Sequence, residues 1–399
     1  MISTVRQQYN AAFSATRYQN FLDWVAEQYQ HRPPFRIAET PLFIPGSFRD
    51  KLFDASQAIA QQLMTPQFRA FSEQALLPEQ TVPGESAHTT FLQLDYGVCR
   101  DEQSGELIPM LIEAQGFPSL YFYQDFIANA YRKFFPIPEE YPHLIGGLNS
   151  DSYFEILRKI IIGGAKPENV VLMDVQPYQQ NTAIDFLVGK AALGFEILCI
   201  TDLRQSGQDL YYVNANGKKI GIERIYNRLI FDEWLQRTDL KASVKITDPL
   251  NINWVGHPNW FFKISKHSLP FLQHPYVPQS FILGQDTPIP DDLENYVLKP
   301  LYSFSGAGVK INVTREDIQQ LHTPEHYILQ KKVEYVPVVQ TPSGGAKCEI
   351  RILMVWEDGA PQPRMVNNLV RLSKGEMIGV KYNLNKDWVG GSVGFMEPL

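Results

Sequence analysis

The sequence predicts a mixed α/β protein of the α+β type, and three patterns along the chain carry this prediction. The first 75 residues have apolar side chains at helical spacing, and the region from Thr89 onward alternates in the way that strands do. Residues 169–201 contain two short apolar runs on either side of a helical segment. With 399 residues, 44% of them hydrophobic, the chain is long enough for two or three packed units.

The N-terminal segment, residues 1–88, is predicted to be a helical lead-in. Two sets of apolar residues at helical spacing predict its main helices: Tyr18, Phe21, Leu22 and Val25, and then Leu52, Ala55, Ile59 and Leu63.

A β-hairpin is predicted next, because FLQLDYGV and ELIPMLIEAQG both alternate and RDEQSGE between them supplies turn residues. Two helices are expected after it, near residues 120–135 and 150–164.

The segment 169–201 predicts a βαβ unit with buried parallel strands, VVLMDV and FEILCIT, around a helix between Thr182 and Leu193. A further hairpin is expected to turn at Asn216-Gly217. The C-terminal third is predicted to alternate strands with Gly-rich turns, and one short helix is expected to open at Thr314. The expected strands are YVLKPL, GVKINV, HYILQKKV, EIRILMV and MVNNLVRL.

Composition argues against several classes of partner and site. The chain has 36 basic and 43 acidic side chains, and no Lys/Arg-rich block that would track nucleic acid or an anionic membrane. Its three cysteines have no metal-ligand spacing, and the N-terminus lacks a signal-peptide pattern. No apolar stretch approaches the length of a membrane span. A cytoplasmic protein without nucleic-acid or membrane partners is expected.

The first predicted hairpin carries two polar pairs on one face. A turn symmetric about Ser104 places Asp95 opposite Glu113. The same register places Gln93 opposite Gln115, although a bulge would shift it by one residue. Two opposed carboxylates repel by roughly 3 kcal/mol at about 5 Å. Either a divalent cation such as Mg²⁺ offsets this repulsion, with hard oxygen ligands, or the pairs form a solvent-facing polar stripe.

Two lysines are candidates for binding phosphate. Lys299 ends an apolar strand before a loop with Ser303, Ser305, Gly306 and Gly308, whose backbone could approach phosphates; the alternative is an ordinary hairpin turn. Lys263 lies among bulky apolar residues at an expected strand-to-helix transition, where it either reaches water or meets an anion.

The C-terminal strands supply two arginines. Glu349 and Arg351 share a strand face, and Arg371 follows Asn367 and Asn368 on the next strand. Their planar groups suit carboxylate or phosphate oxygens, or they form structural ion pairs. The Walker A and Rossmann glycine motifs are absent from the sequence, as are HExxH and GxSxG, so a hydrolase with a Ser or Cys nucleophile is disfavoured.

Taken in order, LDYG with LIEAQG, NWFFKISKHSLPFL, YVLKPLYSFSGAGVKI and YILQKKVEYVP resemble ATP-grasp enzymes of the glutathionylspermidine synthase type. In that family the metal-binding hairpin precedes the two nucleotide lysines, a circularly permuted order. The resemblance covers about residues 90–390, the synthetase part without an amidase domain. Together with the residue patterns above, it predicts four segments: a helical lead-in (1–88), a metal-binding hairpin with helices of the ATP-grasp core (89–165), a βαβ unit similar to a pre-ATP-grasp domain (166–256) and a nucleotide-binding part (257–399).

The resemblance also implies roles for individual residues. It assigns metal ligands (Asp95, Glu113, Gln115), phosphate lysines (Lys263, Lys299), a flap (Ser303 to Gly308, including Ser305 and Gly306) and an adenine hinge (Gln330, Lys331, Lys332, Val333). Arg351 is similar to an arginine near the γ-phosphate. Gln93 stands where the family has an arginine two residues before the metal aspartate, and Gln115 where it has asparagine. Either the protein takes the missing positive charge from elsewhere, with Arg351 or Arg371 the best candidates, or it is not a glutathionylspermidine synthase in substrate and rate.

The favoured function is therefore an ATP- and Mg²⁺-dependent carboxylate–amine ligase that acts through an acyl phosphate on a small-molecule acid and amine. Three alternatives stand beside it. They are a nucleotide-binding module with lost or altered catalysis, which the missing arginine favours, a phosphotransferase with a stable phosphorylated product, and a scaffold whose polar stripes are merely solvated.

Overall fold

The computed structural model describes residues 1–284, 287–302, 308–379 and 382–398, and it has the mixed α/β architecture that the sequence predicts. The α-helices of these residues are α1 (Ser3–Ala12), α2 (Ala15–Gln28), α3 (Gly46–Leu63), α4 (Pro66–Ser72), α5 (Tyr121–Phe134), α6 (Ser150–Ile161), α7 (Ala183–Leu193), α8 (Phe231–Gln236), α9 (Pro258–Lys263) and α10 (Arg315–Gln319). Among them, no helix combines the length and the apolar composition that crossing a membrane requires.

The strands of the described residues form five sheets. In chain order they are β1 (Leu42–Ile44), β2 (Phe91–Arg100), β3 (Leu107–Gln115), β4 (Val170–Asp174), β5 (Glu196–Cys199), β6 (Arg204–Ser206), β7 (Asp209–Val213), β8 (Lys219–Ile222), β9 (Arg224–Asn227), β10 (Asn253–Val255), β11 (Ser280–Ile282), β12 (Tyr296–Pro300), β13 (Tyr327–Lys331), β14 (Val339–Thr341), β15 (Gly344–Val355), β16 (Arg364–Ser373), β17 (Gly390–Ser392) and β18 (Gly394–Met396).

The central sheet is antiparallel, with strand order β17-β16-β15-β2-β3, and β14 pairs with the start of β15. It joins the N-terminal hairpin to the C-terminal strands, because β15 inserts beside β2. Strand alternation gives β2 two different faces: Leu92, Leu94 and Tyr96 enter an apolar core together with helix α3. Gln93 and Asp95 therefore lie on the opposite face, where the candidate site residues gather.

The predicted βαβ unit is confirmed. Strands β4 and β5 are parallel and α7 lies between them along the chain, while β9 and β10 extend the same parallel sheet on the other side of β4. The hairpin predicted at Asn216-Gly217 forms between β7 and β8. The helices expected near 120–135 and 150–164 are α5 and α6.

The helices predicted in the N-terminal segment are also present, with Phe21 and Val25 buried on α2. The α3 residues Leu52, Ala55, Ile59 and Leu63 are buried as their spacing predicts. One strand in this segment was not predicted: β1 pairs in parallel with β18, near the other end of the chain.

Two predictions in the C-terminal half are wrong. The segment GVKINV forms no strand in its described residues; Lys310 makes one isolated bridge to Leu298, so the segment lacks the ladder that defines a strand. The transition expected around Lys263 lies earlier, because strand β10 ends at Val255. Lys263 is instead the last residue of α9, and a 3₁₀ helix follows at residues 266–271. The short helix predicted at Thr314 is confirmed as α10, with Thr314 as its N-cap.

Candidate functional site

The two polar pairs of the hairpin are the ones that the sequence predicts. Asp95 lies opposite Glu113, and Gln93 lies opposite Gln115. The turn is not symmetric about Ser104, because Arg100 pairs with Leu107, one residue off the predicted register, and a bulge between Asp95 and Tyr96 restores the predicted pairing. Both polar pairs therefore keep their predicted positions on one face of the central sheet.

Asp95 is almost completely buried and is bonded by two arginines. Arg351, its direct partner on β15, donates from Nε and Nη2 to the two carboxylate oxygens at 2.5 and 2.7 Å. Arg371 on β16 donates to Oδ2 at 2.7 Å. Both oxygens of Asp95 thus carry charge-assisted hydrogen bonds from cations of the protein itself.

Gln93 lies against the same guanidinium group. Its Oε1 accepts a hydrogen bond from Arg351 Nη1 at 2.9 Å, and its Nε2 donates to the Ser119 carbonyl oxygen at 3.1 Å. The positive charge that position 93 lacks is therefore present beside it, carried by Arg351 from the neighbouring strand.

Glu349 and Tyr335 complete the arginine cluster. Arg371 also bonds the carboxylate of Glu349, and the Tyr335 hydroxyl donates to Glu349 Oε2 at 3.0 Å. Burial raises the pKa of Glu349 above its ordinary value, against the effect of the Arg371 charge. Gly97 makes room for this arrangement, because a Cβ there would come within 2.8 Å of the Tyr335 ring.

Glu113 on β3 is bonded by a lysine that the sequence analysis did not select. Lys266 lies 2.6 Å from Glu113 Oε1, and Gln115 Nε2 donates to Oε2 at 2.9 Å. Burial alone would raise the pKa of Glu113, but the charges of Lys266 and Lys299 outweigh it and lower the pKa to about 2. Glu113 is therefore ionised throughout the physiological range.

Lys299, at the end of β12, lies in the same group of charges. Its ammonium donates to the Ile112 carbonyl oxygen at 3.3 Å and to the side chain of Gln330 on β13. Burial lowers the pKa of Lys299 to about 8, and the charge of Glu113 opposes this effect. Lys299 and Gln330, both predicted to contact the nucleotide, are thus in contact with each other.

Lys263 occupies a different place from Lys266. Its buried ammonium lies 2.6 Å from both Glu73 and Glu85, and 5.4 Å from the centre of the Trp260 ring. It meets anions, as one interpretation of the sequence expected, but they are carboxylates of the protein.

Gly116 explains why Lys266 reaches the hairpin. A Cβ on Gly116 would come within 2.5 Å of the Trp260 carbonyl oxygen, so only glycine allows this approach. Its N–H donates to the Ile264 carbonyl oxygen at 2.8 Å, which holds the segment after α9 against the end of β3. The i, i+3 pair of lysines in KISK was the available signal for Lys266.

The remaining predicted positions are less central. Lys332 donates from its backbone to the Asn295 carbonyl oxygen and from its side chain to that of Glu294, and Val333 follows it outside strand β13. Ser305 and Gly306 lie outside the described residues.

The site as a whole carries more positive than negative groups. Its carboxylates are Asp95, Glu113 and Glu349, and its cations are Lys266, Lys299, Arg351 and Arg371. Two buried donors, Gln330 Nε2 and Arg371 Nε, have no acceptor within the described part of the chain. The repulsion between opposed carboxylates is therefore offset by protein cations, and the surplus of charge and donors suits an anion.

The same contacts test whether the predicted ligands fit a resident metal ion. Both oxygens of Asp95 and both of Glu113 already accept hydrogen bonds from protein donors. No group of three or more His, Cys, Asp or Glu side chains with metal-binding geometry occurs among the described residues. Asp95, Glu113 and Gln115 do not fit a resident cation in this arrangement, because it would have to displace an arginine or lysine.

A narrow pocket beside Glu113 has a cavity volume of about 10 Å³, which is room for about one water molecule. Glu113, Gln115 and Lys266 form its polar side, and Phe117 and Tyr302 contribute to its apolar side.

Comparison with known proteins finds a similar fold in a solved structure of low sequence identity. No protein-family model matches the chain, and no curated protein matches it significantly. Among solved structures, the chain is similar to a glutathione synthetase-like effector from Globodera pallida, solved in its apo form. The two share 10% sequence identity over 96% of each chain, with a TM-score of 0.57. At this level of identity, the similarity shows that the two chains share an overall fold.

Proposed function

We propose that this chain is an ATP-dependent carboxylate–amine ligase of the ATP-grasp type, with the permuted motif order of the glutathionylspermidine synthases. The observation that carries the proposal is the convergence of four cations on the polar face of the central sheet, against three carboxylates. Phosphoryl transfer requires this kind of site, since catalysis rests on positioning and on neutralising the charge of the phosphates.

In the proposed reaction, a carboxylate oxygen of the acid attacks the γ-phosphorus of ATP, and ADP leaves. The amine nitrogen then attacks the carbonyl carbon of the acyl phosphate, inorganic phosphate leaves and the nitrogen loses a proton. Lys266 and Lys299 would bind phosphate oxygens, and Arg351 beside Gln93 would stabilise the developing oxyanion. Asp95 would hold the Arg351 guanidinium in place through its two hydrogen bonds.

Mg²⁺ stays a prediction of the family resemblance. Asp95 and Glu113 are already bonded to cations of the protein. The proposed reaction therefore does not require these two residues alone to hold a metal ion. A metal ion would enter with the nucleotide, whose phosphates supply further oxygen ligands.

A second candidate function is a nucleotide-binding module without turnover. The specific observation in its favour is the full engagement of the Asp95 carboxylate by Arg351 and Arg371. ADP release separates the two functions: the ligase produces ADP when acid and amine are both present, whereas the module binds ATP without turnover. Glutathione and spermidine are the first pair to assay, followed by other small acids and amines.

The two lysines of the KISK segment provide a matched test of the nucleotide site. Both are buried and bonded to carboxylates, but only Lys266 lies at Glu113. We expect Lys266→Met to weaken ATP binding by roughly 1.5–3 kcal/mol, the scale of a charge-assisted hydrogen bond. Lys263→Met should change ATP affinity less than about twofold. Calorimetric titration measures both, and the reverse pattern would transfer the phosphate role to Lys263.

A further inference from the structure

A second group of buried polar side chains lies outside the proposed phosphoryl site, at the carboxyl edge of the parallel sheet. The strand order there is β10-β9-β4-β5. The chain runs from β4 to β5 on one side, and β9 then lies on the other side of β4. In open α/β sheets, ligands bind at the carboxyl ends of the strands where the strand order reverses in this way.

Arg228 directly follows β9 at this point, and only 5% of its surface is exposed. One of its nitrogens, Nη2, donates to Thr182 Oγ1 at 3.4 Å, a long contact. Nε and Nη1 have no hydrogen-bond acceptor in the part of the chain that the structure describes. The rings of Phe117 and Phe186 lie 4.9 and 5.3 Å from its Cζ, and they attract the charge without accepting its hydrogen atoms.

Two carboxyl groups act on Arg228 electrostatically, but neither is hydrogen-bonded to it. Asp174, the last residue of β4, accepts from the Val175 N–H at 2.7 Å. Asp185 Oδ1 on α7 accepts at 2.8 Å from the backbone N–H groups of Phe122 and Tyr123, at the start of α5, and Asp185 Oδ2 has no hydrogen-bond partner in the part of the chain that the structure describes. Among the described residues, no carboxylate oxygen lies within 4.0 Å of an Arg228 nitrogen.

The protonation of these carboxyl groups makes the imbalance larger. Burial raises the pKa of Asp174 to about 7 and also raises the pKa of Asp185. Near neutral pH, Asp174 therefore carries only part of a negative charge. A buried guanidinium with two unsatisfied nitrogens is costly, and an external anion would remove that cost.

We propose that Arg228 binds the carboxylate of a small organic acid at this edge of the parallel sheet. The neighbouring carboxyls of Asp174 and Asp185 favour a singly charged group over a phosphate dianion, because repulsion grows with the charge of the ligand. The site adjoins the central sheet: the hydroxyl of Tyr121 donates to the Met354 carbonyl oxygen at 2.7 Å, and the charges of Arg351 and Arg228 both act on it. That this acid is the acid substrate rests on the proposed ligase function.

The test is titration of the full chain, without nucleotide, with acetate, glutarate and L-glutamate, using glutaramide as the uncharged control. We expect at least one acid to bind and glutaramide not to bind. Arg228→Met should lower the affinity for the acid that binds at least tenfold. Its melting temperature without ligand should not fall, because an unsatisfied buried charge has been removed.

Arg237→Met is the matched control. Arg237 lies at the same edge, where it bonds Asp239 at 2.8 Å and Gln176 at 3.2 Å, so its charge is already compensated. Acid affinity should stay within twofold in this variant. Asp174→Asn removes a partly charged neighbour and should strengthen acid binding by about two- to tenfold; this variant decides the matter if Arg228→Met does not fold.

Three results would overturn the proposal. They are binding of none of the three acids, acid binding that survives Arg228→Met, and binding of inorganic phosphate alone, which would identify a phosphate site. ATP titration of the same samples separates this inference from the proposed function. Acid binding without ATP binding leaves the Arg228 site standing and removes the ligase, whereas ATP binding without acid binding does the reverse.

Discussion

Removal of Arg351 should destabilise the protein through a defined set of lost contacts. Its guanidinium makes two hydrogen bonds to Asp95, at 2.5 and 2.7 Å, and one to Gln93 at 2.9 Å. Breaking a buried ion pair from one side costs about 3–5 kcal/mol, because the other charge stays buried. Arg371 still bonds Asp95 Oδ2, which keeps the expected loss near the lower end of that range. For Arg351→Met we therefore expect the free energy of unfolding to fall by about 3–4 kcal/mol.

A double-mutant cycle shows whether this loss belongs to the pair. Asp95→Asn alone should also destabilise, since it leaves two guanidinium groups without their shared carboxylate. In the double variant Asp95→Asn/Arg351→Met, neither charge of the pair is stranded, and the loss should be smaller than the sum by about 2 kcal/mol.

Urea denaturation followed by tryptophan fluorescence and by circular dichroism measures the four proteins. Six tryptophans provide the first signal, and coincidence of the two curves checks that unfolding is two-state. Losses that add to within about 0.5 kcal/mol would refute the reasoning, because the two side chains would then act independently.

Three further predictions concern the same face. Lys299→Met should weaken ATP binding by roughly 1.5–3 kcal/mol, and in the parent protein ATP affinity should fall as the pH rises through about 8, where the Lys299 ammonium loses its proton. The stability of the protein without ATP should change with pH in the opposite direction. Because the pKa of Lys299 is lowered in the folded state, the unfolded chain binds more protons between about pH 8 and the ordinary pKa of 10.5. The contribution of Lys299 to the free energy of unfolding therefore rises with pH in that window. Calorimetry across pH 6.5–9.5 tests this, and an equally steep loss of affinity in Lys299→Met would contradict it. Millimolar Mg²⁺ without nucleotide should leave the melting temperature unchanged; a clear rise that Asp95→Asn abolishes would instead demonstrate a resident metal site. Gly97→Ala should cost about 1–3 kcal/mol, because the new Cβ collides with the Tyr335 ring, and a melting temperature equal to that of the parent would show that the ring moves away freely.

Local patterns in the sequence predicted which side chains of the hairpin share a face, because strand alternation has a period of two. The predicted partner of Asp95, Glu113, is found, but the turn alone does not give it. The turn pairs Arg100 with Leu107, and the bulge after Asp95 shifts the register by one residue; without the bulge, Asp95 would lie opposite Ile112.

Local sequence patterns could not predict the contacts that define the charge of the site. Arg351 comes to Asp95 from a strand 256 positions later, and nothing in either segment specifies that β15 inserts beside β2. The choice between Lys263 and Lys266 depends on a backbone contact between Gly116 and Ile264, which is also non-local. Short-range periodicity predicts faces of elements, whereas ion-pair partners follow from the order of strands in the sheet.

The parallel pairing of β1 with β18 also has a consequence for how the chain is made. Leu42 pairs with Gly394, so about 350 further residues must be synthesised before β1 can find its partner. At about 5–20 residues per second, this interval lasts roughly 20–70 s. During that time Phe43, which is fully buried in the finished protein, has no final packing site. Strand β1 therefore stays without its partner strand throughout this interval, which makes the segment around it a candidate for protection on the ribosome.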